Sequence, residues 1–76
     1  RLFEADMIGV SFEDTSLVGA NFAGACLVGA SFEGACLLRI NFQEANLIRA
    51  NLRKAYLSES DMRKAYLTEA QLQEAT

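Results

Sequence analysis

The sequence predicts an all-β fold, a four-sided parallel β-helix of about four coils, and three observations support this. A large apolar residue recurs at every fifth position from Leu2 to Leu72, and a small residue lies two positions before most of them. The chain also contains no proline. Because proline cannot donate a backbone hydrogen bond, its absence suits an uninterrupted β ladder.

The large apolar position, which we call the centre of each repeat, is never polar. The centres are Leu2, Met7, Phe12, Leu17, Phe22, Leu27, Phe32, Leu37, Phe42, Leu47, Leu52, Leu57, Met62, Leu67 and Leu72. On a helix, successive centres would be about 140° apart and would scatter around the axis. On one straight strand, an odd spacing would send them to opposite faces. The chain must therefore turn once per repeat.

The residue two positions before a centre is usually alanine. Residues two apart on an extended segment point the same way, so this residue and the centre both face inward. One small and one large side chain together fill a narrow interior. Where this small position is not alanine, it is still uncharged. The exceptions are Val10, Thr15, Ile40 and Ser60.

The two residues after each centre are predicted to form a corner. All five glycines stand at the second corner position, where they suit a turn with a positive φ: Gly9, Gly19, Gly24, Gly29 and Gly34. Charged residues replace them later in the chain, so the corner does not require glycine. Four corners close a coil of twenty residues, and residues twenty apart should stack at about 4.8 Å.

The repeat pattern A-[N/D/S]-[L/F]-x-x, seen in Asn-Phe-Ala-Gly-Ala at 21–25 and Asn-Leu-Ile-Arg-Ala at 46–50, resembles that of the pentapeptide-repeat family. The resemblance covers the whole chain and implies a right-handed quadrilateral β-helix. The right-handed crossover of parallel strands favours the same hand. We expect residues 1–76 to form one domain of this kind. Because the chain starts within a repeat and without Met, we expect it to be a fragment of a longer array or protein.

A twenty-residue coil sorts the phenylalanines into two stacks that face each other in the core. Phe22 and Phe42 share one side, and Phe12 and Phe32 share the opposite side. This arrangement predicts a core that is packed with side chains and has no ligand cavity.

Outward apolar residues at the first corner position form the candidate interface stripe. Ile8, Val28 and Ile48 lie in one column, and Val18 and Leu38 lie on the opposite side. Two interpretations remain open: these side chains shield the corner backbone, or they form a surface for self-association or for another protein.

Four pairs of charged residues that lie twenty apart have opposite signs, which supports the same coil length independently. The predicted pairs are Arg39 with Glu59, Glu44 with Lys64, Arg49 with Glu69, and Glu33 with Arg53. The net charge is −3. It divides unevenly: one base against five acids gives −4 for residues 1–38, and six bases against five acids give +1 for residues 39–76.

The two cysteines and two tyrosines are predicted to point outward. Cys26 and Cys36 lie on opposite sides of the coil, beyond the roughly 7 Å between Cα atoms that a disulfide spans. We therefore expect free thiols. Tyr56 and Tyr66 should pack on the same two sides.

The sequence lacks the residues that most chemistry needs. It contains no histidine, the commonest base for a serine or cysteine nucleophile. Its potential metal ligands are scattered, its glycines do not form a phosphate-binding loop, and acids interleave with its bases. No apolar run is long enough for a transmembrane helix. We expect no enzyme activity, no catalytic, cofactor or metal site, no membrane insertion and no direct binding of nucleic acid.

The leading interpretation is a structural or protein-interaction module, a rigid solenoid that presents flat faces to a partner. Homodimerisation or end-to-end pairing of ladder edges is a further expectation. Family resemblance implies an alternative, a DNA-mimicking modulator of DNA gyrase or topoisomerase. The short array, the mild charge and the absence of interrupting loops depart from that pattern. A third alternative is a designed or idealised repeat scaffold, against which the cysteines and Val10, Thr15 and Ile40 count.

Overall fold

The chain coils into a ladder of isolated bridges. A computed structural model describes residues 5–76, so the first predicted centre, Leu2, lies outside the described residues. Within them there is neither a helix nor a strand longer than one residue. Ten parallel bridges each join residues twenty apart, from Asp6–Cys26 to Asn51–Gln71. The predicted twenty-residue coil and the right-handed quadrilateral β-helix are confirmed.

Backbone hydrogen bonds between successive coils follow one rule. Wherever a further coil follows among the described residues, the amide of the centre and the amide of the second corner residue donate to it, as in Met7 to Cys26 at 2.8 Å and Gly9 to Val28 at 2.9 Å. In return, the amide before a centre donates to the preceding coil, as in Cys26 to Ala5 at 2.8 Å. Because every side is held this way, the coils stack as a rigid unit. No helix within residues 5–76 has the length and apolarity needed to cross a membrane.

The corners share one backbone conformation whether or not they hold glycine. The second corner residue has a positive φ at all fourteen described corners, five of them glycine and nine of them not. The nine others have φ between 57° and 63°. A positive φ at the third turn residue alone is the signature of a type II turn. Since this region costs a residue with a Cβ about 1–2 kcal/mol, the charged corners are strained.

The core occupies the two middle coils and alternates small with large side chains. The inward residues from Phe22 to Ala55, both small residues and centres, are completely enclosed, whereas centres nearer either end are half-buried or, at Leu72, exposed. The two predicted phenylalanine stacks are present. Ring centroids are 5.5 Å apart for Phe22 and Phe42 and 5.3 Å apart for Phe12 and Phe32. Rings from opposite stacks meet edge-on at 5.8–5.9 Å, a favoured aromatic geometry.

One corner departs from the rest. At thirteen described corners, the amide after the corner donates directly to the carbonyl of the centre at 2.9–3.2 Å. The corner from Leu37 to Ile40 lacks this bond. The Ser60 hydroxyl, one coil further on, accepts from the Ile40 amide at 3.1 Å and donates to the Leu37 carbonyl at 2.5 Å. Ile40 is the largest side chain at any described small position, and we attribute the opened corner to the room it needs.

Candidate interaction surface

The solenoid has four sides, which we number in chain order by their centres. Side 1 has centres Met7, Leu27, Leu47 and Leu67. Side 2 has centres Phe12, Phe32, Leu52 and Leu72. Side 3 has centres Leu17, Leu37 and Leu57. Side 4 has centres Phe22, Phe42 and Met62. Sides 1 and 3 are opposite, as are sides 2 and 4, and each corner joins one side to the next.

The candidate apolar residues form two separate stripes. Ile8, Val28 and Ile48 lie along the corner between sides 1 and 2, which we call the first stripe. Val18 and Leu38 lie along the diagonally opposite corner, between sides 3 and 4, which we call the second stripe. Ile8 is 65% exposed and Val18 is 47% exposed, whereas the other three are half-buried. The structure therefore does not bring the five residues into one patch.

Glycines leave the early part of both stripes unshielded. Gly9 and Gly29 follow residues of the first stripe, and Gly19 follows Val18. A Cβ added at any of these three glycines would meet nothing within 4 Å. The apolar side chains consequently border open space.

Charged side chains flank the later part of each stripe. Arg49 and Glu69 form an ion pair at 3.9 Å beside Ile48, and Arg39 and Glu59 form one at 4.0 Å beside Leu38. Beyond these points the columns continue with the polar residues Thr68 and Ser58. Each stripe therefore begins open and apolar and ends polar.

Side 2 changes charge along the solenoid axis. Its corner residues are Glu13 and Asp14 in the first coil and Arg53 and Lys54 in the third. Between them, Glu33 pairs with Arg53 at 3.6 Å. Side 2 is thus acidic at its N-terminal end and basic two coils later.

Polar contacts hold the acidic part of side 2 in place. The Ser31 hydroxyl donates to Glu13 at 3.1 Å, and the Asn51 amide group donates to Glu33 at 3.2 Å. Gly34 lies between the stacked Asp14 and Lys54, and a Cβ there would collide with the Asp14 carboxylate oxygen Oδ1. The Asp14 carboxylate therefore occupies the space over Gly34, and a shallow hollow beside it is lined by Glu13, Asp14, Glu33, Gly34 and Lys54.

Three of the four predicted ion pairs are present. The exception within the described residues is Glu44 with Lys64, which make no ion pair. An unpredicted pair joins Asp61 and Arg63 on side 4, where Arg63 Nη2 lies 2.7 Å from Asp61 Oδ2. The hydrogen bond from the Arg63 side chain lowers the pKa of Asp61, and the same bond raises the pKa of Arg63.

Outward asparagines and an aspartate carry a local role that the sequence interpretation missed. The side-chain oxygen Oδ1 accepts a hydrogen bond from the backbone amide two residues later, at 2.9–3.2 Å, at Asn21, Asn41, Asn46, Asn51 and Asp61. This is an Asx turn, which fixes the approach to the corner. Asparagine or aspartate directly before a centre is the signal that predicts it.

The cysteines and tyrosines lie where the columns predict. Cys26 and Cys36 are free and half-buried, on sides 1 and 3. Tyr66 follows on side 1 and Tyr56 on side 3, and both rings are exposed. In the part of the chain that the structure describes, no three cysteine or carboxylate side chains are grouped in a way that could hold a metal ion.

Comparisons with known proteins agree with this geometry. The family model of pentapeptide repeats matches residues 1–34 and 40–76 as eight copies. A crystal structure of a pentapeptide repeat protein from the thylakoid lumen of Arabidopsis thaliana is 32% identical and superposes with a TM-score of 0.96. The match covers 97% of this chain and 51% of that one.

A second solved structure is the pentapeptide repeat protein Rfr23 from the cyanobacterium Cyanothece 51142. It is 29% identical with a TM-score of 0.62, over 97% of this chain and 54% of that one. No curated protein matches the sequence. The chain thus spans about half the length of the solved structures it resembles.

Proposed function

Because the chain belongs to the pentapeptide-repeat family, we propose that it is a rigid module that binds a protein partner through its two apolar stripes. The observation that carries this proposal is the exposure of Ile8 and Val18, each beside a glycine that leaves the stripe open. Outward apolar side chains that repeat at strand spacing form a continuous stripe rather than scattered contacts.

Rigidity makes these stripes suitable for binding. Interstrand hydrogen bonds hold the backbone on both sides of each stripe, as at Gly9 with Val28 and Gly29 with Ile48, both at 2.9 Å. A surface whose backbone is already ordered loses little conformational freedom when a partner binds. An apolar contact can therefore contribute to affinity without a large ordering cost.

The partner that fits a stripe has an apolar groove with polar edges. The groove would receive the apolar side chains, and its edges would face the ion pairs Arg49–Glu69 or Arg39–Glu59. Such a contact has the apolar centre and polar rim of a typical protein interface. The proposal assigns no catalysis, because the sequence has no histidine to serve as a base.

Site-specific crosslinking tests the proposal. A benzophenone amino acid is placed at Ile8, at Val18 or, as a control on side 4, at Gln43, and each variant is irradiated in an extract of the source cells. Adducts are identified by mass spectrometry. We expect a discrete partner from Ile8 or Val18 and none from Gln43.

Binding of the identified partner is then measured with purified components. Val28→Asp or Val18→Asp should weaken binding through the corresponding stripe about tenfold or more, since it buries a charge in an apolar contact. Gln43→Asp, the matched control, should leave the affinity unchanged. Equal crosslinking from all three positions, or binding that survives both stripe substitutions, would refute the proposal.

A further inference from the structure

We infer that the chain pairs with a second copy of itself, side 2 against side 2, with the two solenoid axes antiparallel. This inference rests on the proposed interaction role and names the partner of the first stripe. The pairing has a two-fold axis that crosses side 2 at its second coil, near Glu33 and Gly34. It is an isologous contact, in which the same surface is used by both copies.

The charge change along side 2 selects the antiparallel arrangement. Two coils, or about 9.6 Å, separate the acidic pair Glu13 and Asp14 from the basic pair Arg53 and Lys54. A two-fold axis at the coil between them places the acidic pair of each copy opposite the basic pair of the other. A parallel two-fold arrangement would instead place the charged border of each copy opposite the apolar first stripe of the other, which opposes association because charges would be buried without partners.

The first stripe fits the same axis. This stripe borders side 2, and its residues Ile8, Val28 and Ile48 lie at the levels of the first, second and third coils. The symmetry that joins acids to bases therefore also places Ile8 of one copy opposite Ile48 of the other. Val28 meets Val28 at the axis. An apolar edge and a charged edge then run along opposite borders of one interface.

The surroundings of Glu33 and Gly34, which lie near the two-fold axis, are compatible with this pairing. Glu33 would face its symmetry mate, but its charge is already compensated by Arg53 at 3.6 Å and by a hydrogen bond from Asn51 at 3.2 Å. The Asp14 carboxylate lies over Gly34 and lines the shallow hollow at this corner together with Glu13 and Glu33. Lys54 of the second copy would enter that hollow, since Lys54 makes no ion pair with any described residue of its own chain.

The size of the side implies a weak, reversible dimer. The Cα atoms extend over 26 × 24 × 20 Å, so a whole side offers about 500 Å² per copy, or about 1,000 Å² in total. This area lies at the low end of specific interfaces. Since much of the attraction is between exposed charges, we expect strong weakening by salt.

Sedimentation velocity of the 76-residue chain tests the pairing. Samples span about 10 µM to about 1 mM, the range in which a contact of this size should assemble. They are compared in about 0.05 M and about 0.5 M NaCl, which differ severalfold in screening length. We expect a monomer–dimer equilibrium that shifts toward monomer at the higher salt.

Charge exchange between Asp14 and Lys54 identifies the geometry. Both positions have a positive φ, 57° and 63°, and both residue types already adopt it in this chain, so the exchange preserves the corner conformation. Asp14→Lys alone and Lys54→Asp alone place like charges opposite each other and should weaken self-association about tenfold or more. An equimolar mixture of the two single variants should form a heterodimer, because each contact then joins opposite charges.

The matched control exchanges charges on the opposite side. Glu44→Lys and Lys64→Glu change corner residues with φ of 61° and 62° on side 4, and they should leave dimerisation unchanged. Val28→Asp should weaken the dimer, whereas Val18→Asp on the second stripe should not. Circular dichroism checks that each variant is folded. If a variant does not fold, the sedimentation of the parent chain at low and high salt still tests the dimer.

Specific outcomes overturn the inference. A chain that stays monomeric at about 1 mM in low salt does not form this dimer. Dimers that tolerate both single charge substitutions, without any gain on mixing, use a different surface. Neither result affects the proposed binding of a partner through the second stripe, which crosslinking from Val18 tests separately.

Discussion

Replacement of Ser60 by alanine removes the one hydroxyl that completes a corner of the core. The Ile40 amide donates to this hydroxyl at 3.1 Å, and the hydroxyl donates to the Leu37 carbonyl at 2.5 Å. Ser60→Ala would leave both backbone groups without these partners, on residues that are 0% exposed at Leu37 and 1% exposed at Ile40. Alanine is also the residue that the repeat pattern prefers here, so the pattern by itself predicts a neutral or stabilising change.

The structure predicts the opposite sign. A net intramolecular hydrogen bond contributes about 0.5–1.5 kcal/mol, and a buried backbone group left unpaired costs about 1–3 kcal/mol. We expect Ser60→Ala to lower the free energy of unfolding by about 1–3 kcal/mol, within the range set by one unpaired group. For a domain of this size, each kcal/mol lowers Tm by about 4–8 °C.

Chemical denaturation and thermal melting, followed by circular dichroism, measure the effect against Ser58→Ala. Ser58 is exposed, and its hydroxyl makes none of the hydrogen bonds of the described residues. The control should therefore change stability by less than about 0.5 kcal/mol. If the two variants are equally stable, the Leu37–Ile40 corner closes unaided and the hydroxyl has no such role.

A double-mutant cycle tests why this corner is open. If the branched side chain of Ile40 holds the corner apart, alanine at position 40 should let it form the direct bond found at thirteen other corners. Ser60→Ala should then cost little in that background, giving a coupling of about 1 kcal/mol or more between the two positions. If Ser60→Ala lowers stability equally with isoleucine or alanine at position 40, the backbone, and not the Ile40 side chain, keeps the corner open.

Four further predictions follow from the core, the corners and the surface charges. Phe32→Ala removes a completely enclosed ring between three others and should cost about 3–5 kcal/mol in denaturant unfolding, and more than Phe12→Ala at the half-buried end of its stack. Glu44→Gly should raise stability by about 0.5–1 kcal/mol through relief of a positive φ of 61°, whereas Gly29→Ala should lower it by about 1 kcal/mol without a steric clash. Equal effects of the two corner substitutions would contradict the assigned strain. Asp61→Asn keeps the Asx acceptor but loses the charge. Because folding lowers the pKa of Asp61, its stabilising contribution is present above its ordinary value of 3.8 and is lost as pH falls through the lowered folded value. Melting curves of parent and variant should therefore converge in acid, and a constant difference would argue against this linkage. Finally, supercoiling by DNA gyrase should be unaffected by micromolar chain, because side 2 alternates in charge; inhibition would favour DNA mimicry.

The fold could be predicted from the sequence because one strict rule, the period of five, determines both the turn and the inward direction. The same rule gave the phenylalanine stacks and three ion pairs, since each depends only on which residues lie twenty apart. Glu44 and Lys64 do not form the predicted ion pair. Residues twenty apart are neighbours in the stack, but this does not fix the rotamers of their side chains. The Ser60 bridge was not predicted either, since it depends on how one large side chain alters a neighbouring turn.

The stripe itself stays a prediction, and the structure bears only on the exposure of its residues. Ile8 and Val18 are exposed as the columns predict, whereas Val28, Leu38 and Ile48 are half-buried. The columns did not show that glycines leave both early stripes open or that an acidic and a basic pair lie two coils apart on side 2. Those features depend on which corner a column occupies and on which side it borders, and they emerge only when the coil is closed in three dimensions.

Stability alone does not explain the charged corners. Nine described corners keep a positive φ without glycine, at about 1–2 kcal/mol each, whereas an exposed ion pair returns only about 0–1 kcal/mol. Only two of the ion pairs among the described residues join positive-φ residues, Arg39–Glu59 at 4.0 Å and Arg49–Glu69 at 3.9 Å. The gain from pairing is thus smaller than the strain. Four of the nine, Arg39, Arg49, Glu59 and Glu69, border the later part of a stripe, and Gly9, Gly19 and Gly29 border the earlier part. At these corners the strained residues lie where the stripe becomes polar, so the surface that the chain presents accounts for their strain better than the stability of the coil does.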